Sequence, residues 1–253
     1  MYWDSLITLC KQIKKDGLVP LGLGNLPRYP GAGWFDAINL GVNGYDFHLR
    51  LLAGQESFLS PQVSRVFDLW RQVVPYFNPG VNKVDIPDLL PQFAQGNPVI
   101  LYDSSVHANR AAATARLTDL DFFPFPAIDP LMPSTVEAPA EGFMASAHSR
   151  NPRGARALLA YMARPDVQSR QANGLKDLPV NTEAPLPSDA LNQKGLALIR
   201  SASHISQYFD RDSSPAFSDP ALTALQQFYD NPATAAAVQR TWDQQMKLAL
   251  SAG

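Results

Sequence analysis

Three short stretches of this 253-residue chain combine aromatic side chains with acidic or hydroxyl groups. In the first, residues 31–36, two glycines give a flexible loop that delivers Trp34, Phe35 and Asp36 to the start of a helix. A flat ring can lie against the apolar face of a sugar, and a carboxylate accepts hydrogen bonds from its hydroxyl groups. Adjacent helical positions diverge by about 100°, so one of the two rings belongs to the core. We predict that Trp34 faces a ligand and that Asp36 binds it.

The second stretch is a polar, aromatic-led loop at residues 207–215, just before a predicted helix. It contains Phe209, Asp210, Arg211 and Asp212. Two carboxylates beside a guanidinium suit a neutral polyhydroxyl ligand, because together they both donate and accept paired hydrogen bonds. An exposed ion pair that satisfies itself and contributes little to stability is an equally open interpretation.

The third stretch, Tyr102-Asp103-Ser104-Ser105, lies at the end of a predicted buried strand at residues 99–102. In α/β proteins, ligand sites gather at the carboxyl ends of strands. Asp103 or Ser104 is also a good N-cap for a following helix. The two roles are compatible, so we predict ligand contacts for Asp103, Ser104 and Ser105.

Signatures of enzymatic chemistry are missing from the sequence. It contains no G-x-S-x-G, H-E-x-x-H, P-loop or calcium-loop pattern. Gly22 and Gly24 begin a dinucleotide fingerprint, but Pro27 occupies the place of its third glycine. One cysteine excludes an internal disulfide and a cysteine-rich metal site. We expect no cofactor, no metal site and no catalytic residue, and we interpret the widely spaced histidines as structural: His48, His107, His148 and His204.

Composition excludes several classes of partner. The chain has 21 basic and 23 acidic residues and a net charge of −2, so it lacks the basic surface that nucleic acid or anionic lipid requires. A hydrophobic content of 45% argues against disorder, and no apolar run is long enough to insert into a membrane. The first residues lack the basic start and apolar run of a secretory signal, which predicts a cytoplasmic protein or a chain whose beginning is missing.

Hydrophobic periodicity predicts helices alternating with strands, which is typical of an α/β fold. The chain opens with a helix that buries Trp3, Leu6, Ile7, Cys10 and Ile13, followed by a strand over 18–23. A second helix is predicted from Trp34 to Val42, ended by Gly44, and the strongest helical stripe covers residues 61–77. Proline in the first helical turn marks four helix starts, namely Ser60-Pro61, Asn151-Pro152, Asp219-Pro220 and Asn231-Pro232.

Further along the chain, buried strands are predicted at 99–102, 120–125 and 142–145. The helix after Pro152 is expected to turn Ala155, Leu158, Leu159 and Met162 inward. Two helices form the tail from Pro220 to Leu250, with predicted core positions Leu222, Leu225, Phe228, Val238 and Trp242.

In the aromatic and acidic stretches described above, and at further motifs along its length, the chain resembles the extracellular solute-binding proteins of ABC-type sugar importers (family 1-like). The resemblance follows the family's order over nearly the whole chain. It rests on Tyr2-Trp3-Asp4, residues 31–36, Gly54-Gln55-Glu56-Ser57-Phe58, Phe122-Phe123-Pro124-Phe125-Pro126, Glu141-Gly142-Phe143 and residues 208–212.

The resemblance implies a type II periplasmic-binding-protein-like α/β fold, with a second lobe essentially complete and a remnant of the first lobe. Residues 1–125 and 178–253 would form the second, C-terminal lobe, and residues 140–175 the remnant. Residues 126–139 and 176–177 would be the crossing segments. Most of the family's first lobe would be absent, so we expect 140–175 to be loosely held or partnered by another polypeptide.

The resemblance also implies roles and partners. Trp34 would stack on the sugar, residues 103–105 would contact it from a strand end, Glu141 would reach in from the first lobe, and residues 210–212 would line the rim. Partners would be a mono- or oligosaccharide, the importer's membrane subunits and a separate first-lobe fragment, in the periplasm or outside the cell. The sequence departs from the family at Ser104-Ser105, where glycine and a larger residue are frequent, and at Ala140-Glu141, where Thr-Asp is frequent.

Two other functions compete with sugar capture. Asp210 and Asp212 could be the carboxylate pair of a glycoside hydrolase, since their side chains could stand about 5–9 Å apart. Arg211 between them would hold both ionised and leave no proton donor. The second alternative is an interaction module that no longer binds sugar and docks a receptor or a partner fragment.

Overall fold

The computed structural model describes residues 1–104 and 120–251, which divide into two compact units. The first unit contains 1–103, 123–137 and the described residues from 202 onward. The second contains residue 104, residues 120–122 and residues 138–201. None of the helices in the described ranges is both long enough and apolar enough to cross a membrane.

The first unit is built mainly of helices around two short pairs of strands. Its N-terminal elements are α1 (Trp3–Lys15), β1 (Leu21–Gly22), α2 (Tyr29–Leu52), α3 (Pro61–Val73), α4 (Ile86–Phe93) and β2 (Ile100–Leu101). Its remaining elements are β3 (Thr135–Glu137), β4 (His204–Ser206), α8 (Phe209–Asp212), α9 (Pro215–Asp230) and α10 (Ala235–Ser251). The second unit contributes α5 (Pro152–Met162), α6 (Pro165–Leu175) and α7 (Ala190–Ser201).

A cluster of aromatic rings fills the centre of the first unit. Phe35 of α2 is fully buried, and its ring centroid lies 4.8 Å from that of Trp242 on α10 and 6.3 Å from that of Trp70 on α3. Phe67 adds edge-to-face contacts with Phe228 and Trp242. Such pairs add to the stabilisation from burial, so these rings bring four helices together: α2, α3, α9 and α10.

Several predicted helices are confirmed. In α1, Trp3, Leu6, Cys10 and Ile13 are buried as expected. The α3 helix begins at Pro61, and the Ser60 hydroxyl accepts a hydrogen bond from the Val63 amide at 3.3 Å. The tail is a helical pair with every predicted core position buried: Leu222, Leu225, Phe228, Val238 and Trp242.

The α2 helix is much longer than predicted. It begins at Tyr29, with Pro30 in its first turn, and it continues past Gly44 to Leu52. Gly44 adopts φ +80° and ψ 171°, so it kinks the helix instead of ending it. This left-handed conformation favours glycine, whereas the Met132 sulfur, 2.8 Å from where a Cβ would lie, ends a flexible side chain that can move aside.

The helix start predicted at Asp219-Pro220 is wrong. Pro220 lies inside α9, which begins at Pro215 after Ser214. Proline fits an early helical turn because the amide it lacks would have no partner there. Pro215 occupies such a position, whereas Pro220 is the sixth residue of α9 and lacks the amide that would bond the Ala216 carbonyl. The start predicted at Asn231 is a short 3₁₀ turn, in which its side chain caps the Ala233 amide.

The strands are shorter than the sequence predicts. β1 pairs in parallel with β2, and β3 pairs in parallel with β4. The strand predicted at 120–125 does not form, although Phe125 packs its ring 5.6 Å from that of Trp34. Its apolar residues are used for side-chain packing, and hydrophobic content alone cannot supply a ladder partner.

The second unit also departs from expectation. Residues 142–145 form no strand, because the described part of this unit contains no strand with which they could pair. The predicted inward face of α5 is not buried: Leu158 is 60% exposed, and Ala155, Leu159 and Met162 are half-buried.

The division into units differs from the predicted lobe boundaries at two places. Residues 104 and 120–122, and residues 178–201, group with the second unit, although the sequence assigned them to the second lobe. Within this unit, the Lys194 ammonium group of α7 lies 2.6 Å from the Asp121 carboxylate. Whether either unit corresponds to a lobe stays a prediction.

The single cysteine is part of the core. Cys10 lies on the inner face of α1 and is 0% exposed. Burial raises the pKa of its thiol to about 11, because the thiolate would lose its hydration.

The aromatic core generates a stability prediction. Trp70 is fully buried, so Trp70→Ala should lower the free energy of unfolding by about 3–5 kcal/mol. Leu158→Ala removes an exposed side chain and should change it by less than about 0.5 kcal/mol. Urea denaturation followed by far-UV circular dichroism measures both variants. Equal effects would contradict the proposed core.

Candidate functional site

The start of α2 is held in place by hydrogen bonds to a buried asparagine. The side-chain oxygen of Asn25 accepts from the Gly31 amide at 2.8 Å, and its amide group donates to Asn82 at 2.7 Å. The Tyr229 hydroxyl on α9 donates to the Gly31 carbonyl at 2.9 Å. These bonds fix the first turn of α2, and with it the side chains that follow.

Asp36 extends from this helix into the interior. Its carboxyl group is buried, and one oxygen accepts a hydrogen bond from the Phe209 amide at the start of α8, at 3.0 Å. Its other oxygen, Oδ1, has no hydrogen-bond partner among the residues that the structure describes. The contact therefore ties the loop after β4 to α2 but leaves one acceptor unused.

A second buried carboxyl group comes from β3. Glu137 ends this strand, and one of its oxygens accepts a hydrogen bond from the hydroxyl of Tyr102, just after β2. Its other oxygen, Oε1, is buried without a partner. A Cβ on Gly33 of α2 would stand 3.3 Å from the Tyr102 ring and 3.9 Å from the Tyr208 ring. We call Asp36, Tyr102, Glu137 and Tyr208 the carboxyl–phenol cluster.

Burial and mutual repulsion keep protons on this cluster. Burial raises the pKa of Glu137 to about 8, with the charge of Asp210 adding to the rise and the Tyr102 hydrogen bond opposing it. Burial, followed by the charge of Glu137, raises the pKa of Asp36 well above its usual range. Burial also raises the phenol pKa values of Tyr102 and Tyr208. At neutral pH the cluster can therefore donate and accept hydrogen bonds while carrying little charge.

The predicted rim residues lie near the cluster. Asp210 is half-buried, and burial raises the pKa of its carboxyl group while Arg211 lowers it. The Arg211 guanidinium lies 5.9 Å from the centre of the Tyr208 ring. Asp103 and Asp212 are exposed, and the charge of Asp212 contributes to the raised pKa of Asp36. The structure thus brings the first and second stretches of the sequence together.

Two predicted aromatic contacts need correction. Trp34 is only 2% exposed, because its ring packs edge-to-face against Phe77, Tyr102 and Phe125. Phe209 is 1% exposed and belongs to the core. Neither ring presents an open face, and the indole N–H of Trp34 is buried without a partner.

The remaining predicted contacts lie elsewhere. Ser104, which is half-buried, and Glu141, which is exposed, belong to the second unit. Ser105 lies outside the described residues. The ligand roles of Asp36, residues 103–105, Glu141 and residues 210–212 stay predictions. In the described ranges, no group of three or more His, Cys, Asp or Glu side chains could hold a metal ion.

The sequence analysis did not single out three of the four cluster members. Tyr102 and Tyr208 lie inside stretches that it had marked, so their phenol groups were available as a signal. Glu137 gave no such signal in the sequence, because it lies in a proline-rich segment that was interpreted as a connection between lobes. Its role depends on the pairing of β3 with β4, which brings Glu137 opposite Ser206.

The chain belongs to the bacterial extracellular solute-binding protein family, which it matches over residues 1–169. It is 29% identical to the bacterial solute receptor AcbH, described as having an exclusive preference for β-D-galactopyranose. The two structures agree with a TM-score of 0.93 over 98% of this chain and 65% of AcbH. The chain therefore spans about two thirds of the length of that receptor.

Two further proteins are similar to this chain. A chitin oligosaccharide binding protein is 17% identical, with a TM-score of 0.88 over 100% of this chain and 65% of its own. An uncharacterised ABC transporter extracellular-binding protein of Pyrococcus horikoshii is 26% identical over 76 residues, covering 30% of this chain and 17% of that protein. The predicted periplasmic-binding-protein-like α/β fold is confirmed by these structural neighbours.

The carboxyl–phenol cluster generates a pH prediction. The pKa of Glu137 is raised from 4.5 to about 8 in the folded protein, so its contribution to stability is complete at low pH and is lost as the pH rises through about 8. Across that interval, one such group changes the free energy of unfolding by up to roughly 1.4 kcal/mol per pH unit. Glu137→Gln should therefore make stability fall less steeply with rising pH.

Urea denaturation at a series of pH values from 5 to about 9 measures that slope. Glu183→Gln, which alters an exposed carboxyl group in the second unit, serves as the matched control and should keep the wild-type slope. An unchanged slope in Glu137→Gln would mean that Glu137 is ionised throughout.

Proposed function

We propose that the protein is a carbohydrate-binding component of an ABC importer, which captures a sugar through hydrogen bonds and aromatic contact without chemical conversion. Membership of the solute-binding family supports capture as the activity. Similarity to AcbH, at 29% identity over 98% of this chain, supports a sugar as the ligand. The carboxyl–phenol cluster supplies the polar groups that such a ligand needs.

The observation that carries this proposal is a pair of buried carboxyl oxygens in the cluster. Within the described residues, Asp36 Oδ1 and Glu137 Oε1 have no hydrogen-bond partner. Buried polar groups in folded proteins are nearly always hydrogen-bonded, so unpaired ones call for an explanation. Sugar hydroxyl groups both donate and accept, and they would pair with these atoms once they enter the cluster.

The electrostatics of the cluster suit a neutral ligand. Because raised pKa values keep Asp36 and Glu137 largely protonated, an anionic ligand would gain little attraction and a cation would find little charge to compensate it. A polyol loses less on desolvation than an ion and can use both donors and acceptors. We assign no catalytic role to Asp210 or Asp212.

The partners and the location follow from the family. We propose that the protein acts in the periplasm or outside the cell and delivers its sugar to the membrane subunits of an importer. We further propose the lobe assignment that the family resemblance implies, with residues 1–125 and 178–253 in the second lobe and 140–175 in the first. Residues 126–139 and 176–177 would connect them, and a first-lobe polypeptide would complete the cleft.

Saturation-transfer-difference NMR tests the proposal, because it detects even millimolar binding. The panel comprises D-galactose, xylo-oligosaccharides, chitin oligosaccharides and raffinose. We expect a response to at least one sugar, and isothermal titration then gives its affinity. No response to any sugar at millimolar concentration would overturn the proposal.

A double variant tests the cluster itself. Tyr102→Phe/Glu137→Leu removes a donor and its acceptor together, so stability should be unchanged or higher. Sugar affinity should nevertheless fall about tenfold or more, since hydrogen bonds to the ligand are lost. The control Tyr161→Phe/Glu183→Leu makes the same changes at exposed positions of the second unit and should bind normally. Equal affinity of both variants would exclude the cluster as the binding site.

A further inference from the structure

One face of α2 runs from solvent into the carboxyl–phenol cluster. Tyr29, Gly33 and Asp36 are spaced i, i+4 and i+7, which places them on the same side of the helix. Asp36 is at the buried end, and Gly33 lies against the rings of Tyr102 and Tyr208. Tyr29 is one helical turn further out, and it is 49% exposed.

The residue before Tyr29 is held in an unfavourable backbone conformation. Arg28 has φ +74° and ψ −38°, which a residue other than glycine rarely adopts and which costs free energy. Its guanidinium donates to the Thr223 hydroxyl of α9 at 2.8 Å, and its amide donates to the Asn25 carbonyl at 3.0 Å. The turn is thereby anchored on both sides, and the backbone from which Tyr29 extends is held in place.

The Tyr29 phenol interacts electrostatically with residues of the predicted site. Partial burial raises the pKa of its phenol, the charges of Asp103, Asp85 and Asp210 raise it further, and Arg211 opposes them. Of these residues, Asp103 is a predicted strand-end contact and Asp210 a predicted rim contact.

Exposure separates this ring from the other aromatic candidates. Trp34 and Phe209 are buried, and one side of the Tyr208 ring faces the guanidinium of Arg211. A pyranose needs an open, rigid ring for its apolar face and nearby acceptors for its hydroxyl groups. The Tyr29 ring is exposed, and it lies on the face of α2 that leads to the polar groups of the cluster.

We propose that Tyr29 is the aromatic platform on which a pyranose stacks, beside the carboxyl–phenol cluster that lies on the same face of α2. This inference rests on the proposed function and adds a binding residue that the sequence analysis did not identify. Tyr29 takes the role that the sequence had assigned to Trp34.

Binding measurements on three variants test the platform. Tyr29→Ala should lower the affinity for the best sugar of the panel about tenfold, whereas Tyr29→Phe should stay within about twofold of wild type because the ring remains. Leu26→Ala, which truncates a side chain of similar exposure in the same loop, should bind like wild type. Thermal denaturation should show equal stability for all three.

Each outcome identifies which proposal fails. If the wild-type chain binds a sugar and Tyr29→Ala binds it equally well, the platform is wrong and the proposed function stands. If the wild-type chain binds no sugar, the proposed function itself is wrong. A tenfold loss in Tyr29→Phe as well would assign the contribution to the phenol hydroxyl and overturn stacking.

Discussion

Burial of the Asp36 carboxyl group is the constraint on which the site depends. A carboxyl group removed from water must be paired or protonated, and Asp36 is paired through only one oxygen, by the Phe209 amide. That single bond fixes the loop after β4 against α2, and the nearby charge of Glu137 favours the protonated form. The position of the site and its low charge therefore have the same physical origin.

The aromatic core supplies the rigidity that this arrangement needs. Phe35 follows Trp34 and precedes Asp36, so the segment that enters the cluster is also locked between α3 and α10 by its own ring. The hydrogen bonds of Asn25 hold the other end of that segment. Neighbouring residues of α2 thus belong alternately to the core and to the site. A shift of the core side chains would therefore also displace the site.

The sequence predicted the elements whose packing follows from local periodicity. It predicted the apolar stripes of α1 and α3, the helical tail and the family, because repeated apolar spacing and ordered motifs are local signals. It failed at Trp34 and at residues 142–145, since ring exposure and strand formation depend on partners distant in the chain. Glu137 was missed for the same reason, because its hydrogen bond to Tyr102 joins side chains 35 positions apart in the chain.

The buried sulfur on α1 has a practical consequence for studying this molecule. Cys10 has no exposed surface and a pKa of about 11, so it hardly forms the thiolate that alkylating reagents attack at neutral pH. Because the chain has no other cysteine, a thiol introduced on the surface would react alone. A single fluorophore or spin label can therefore be attached to an introduced cysteine without first replacing Cys10.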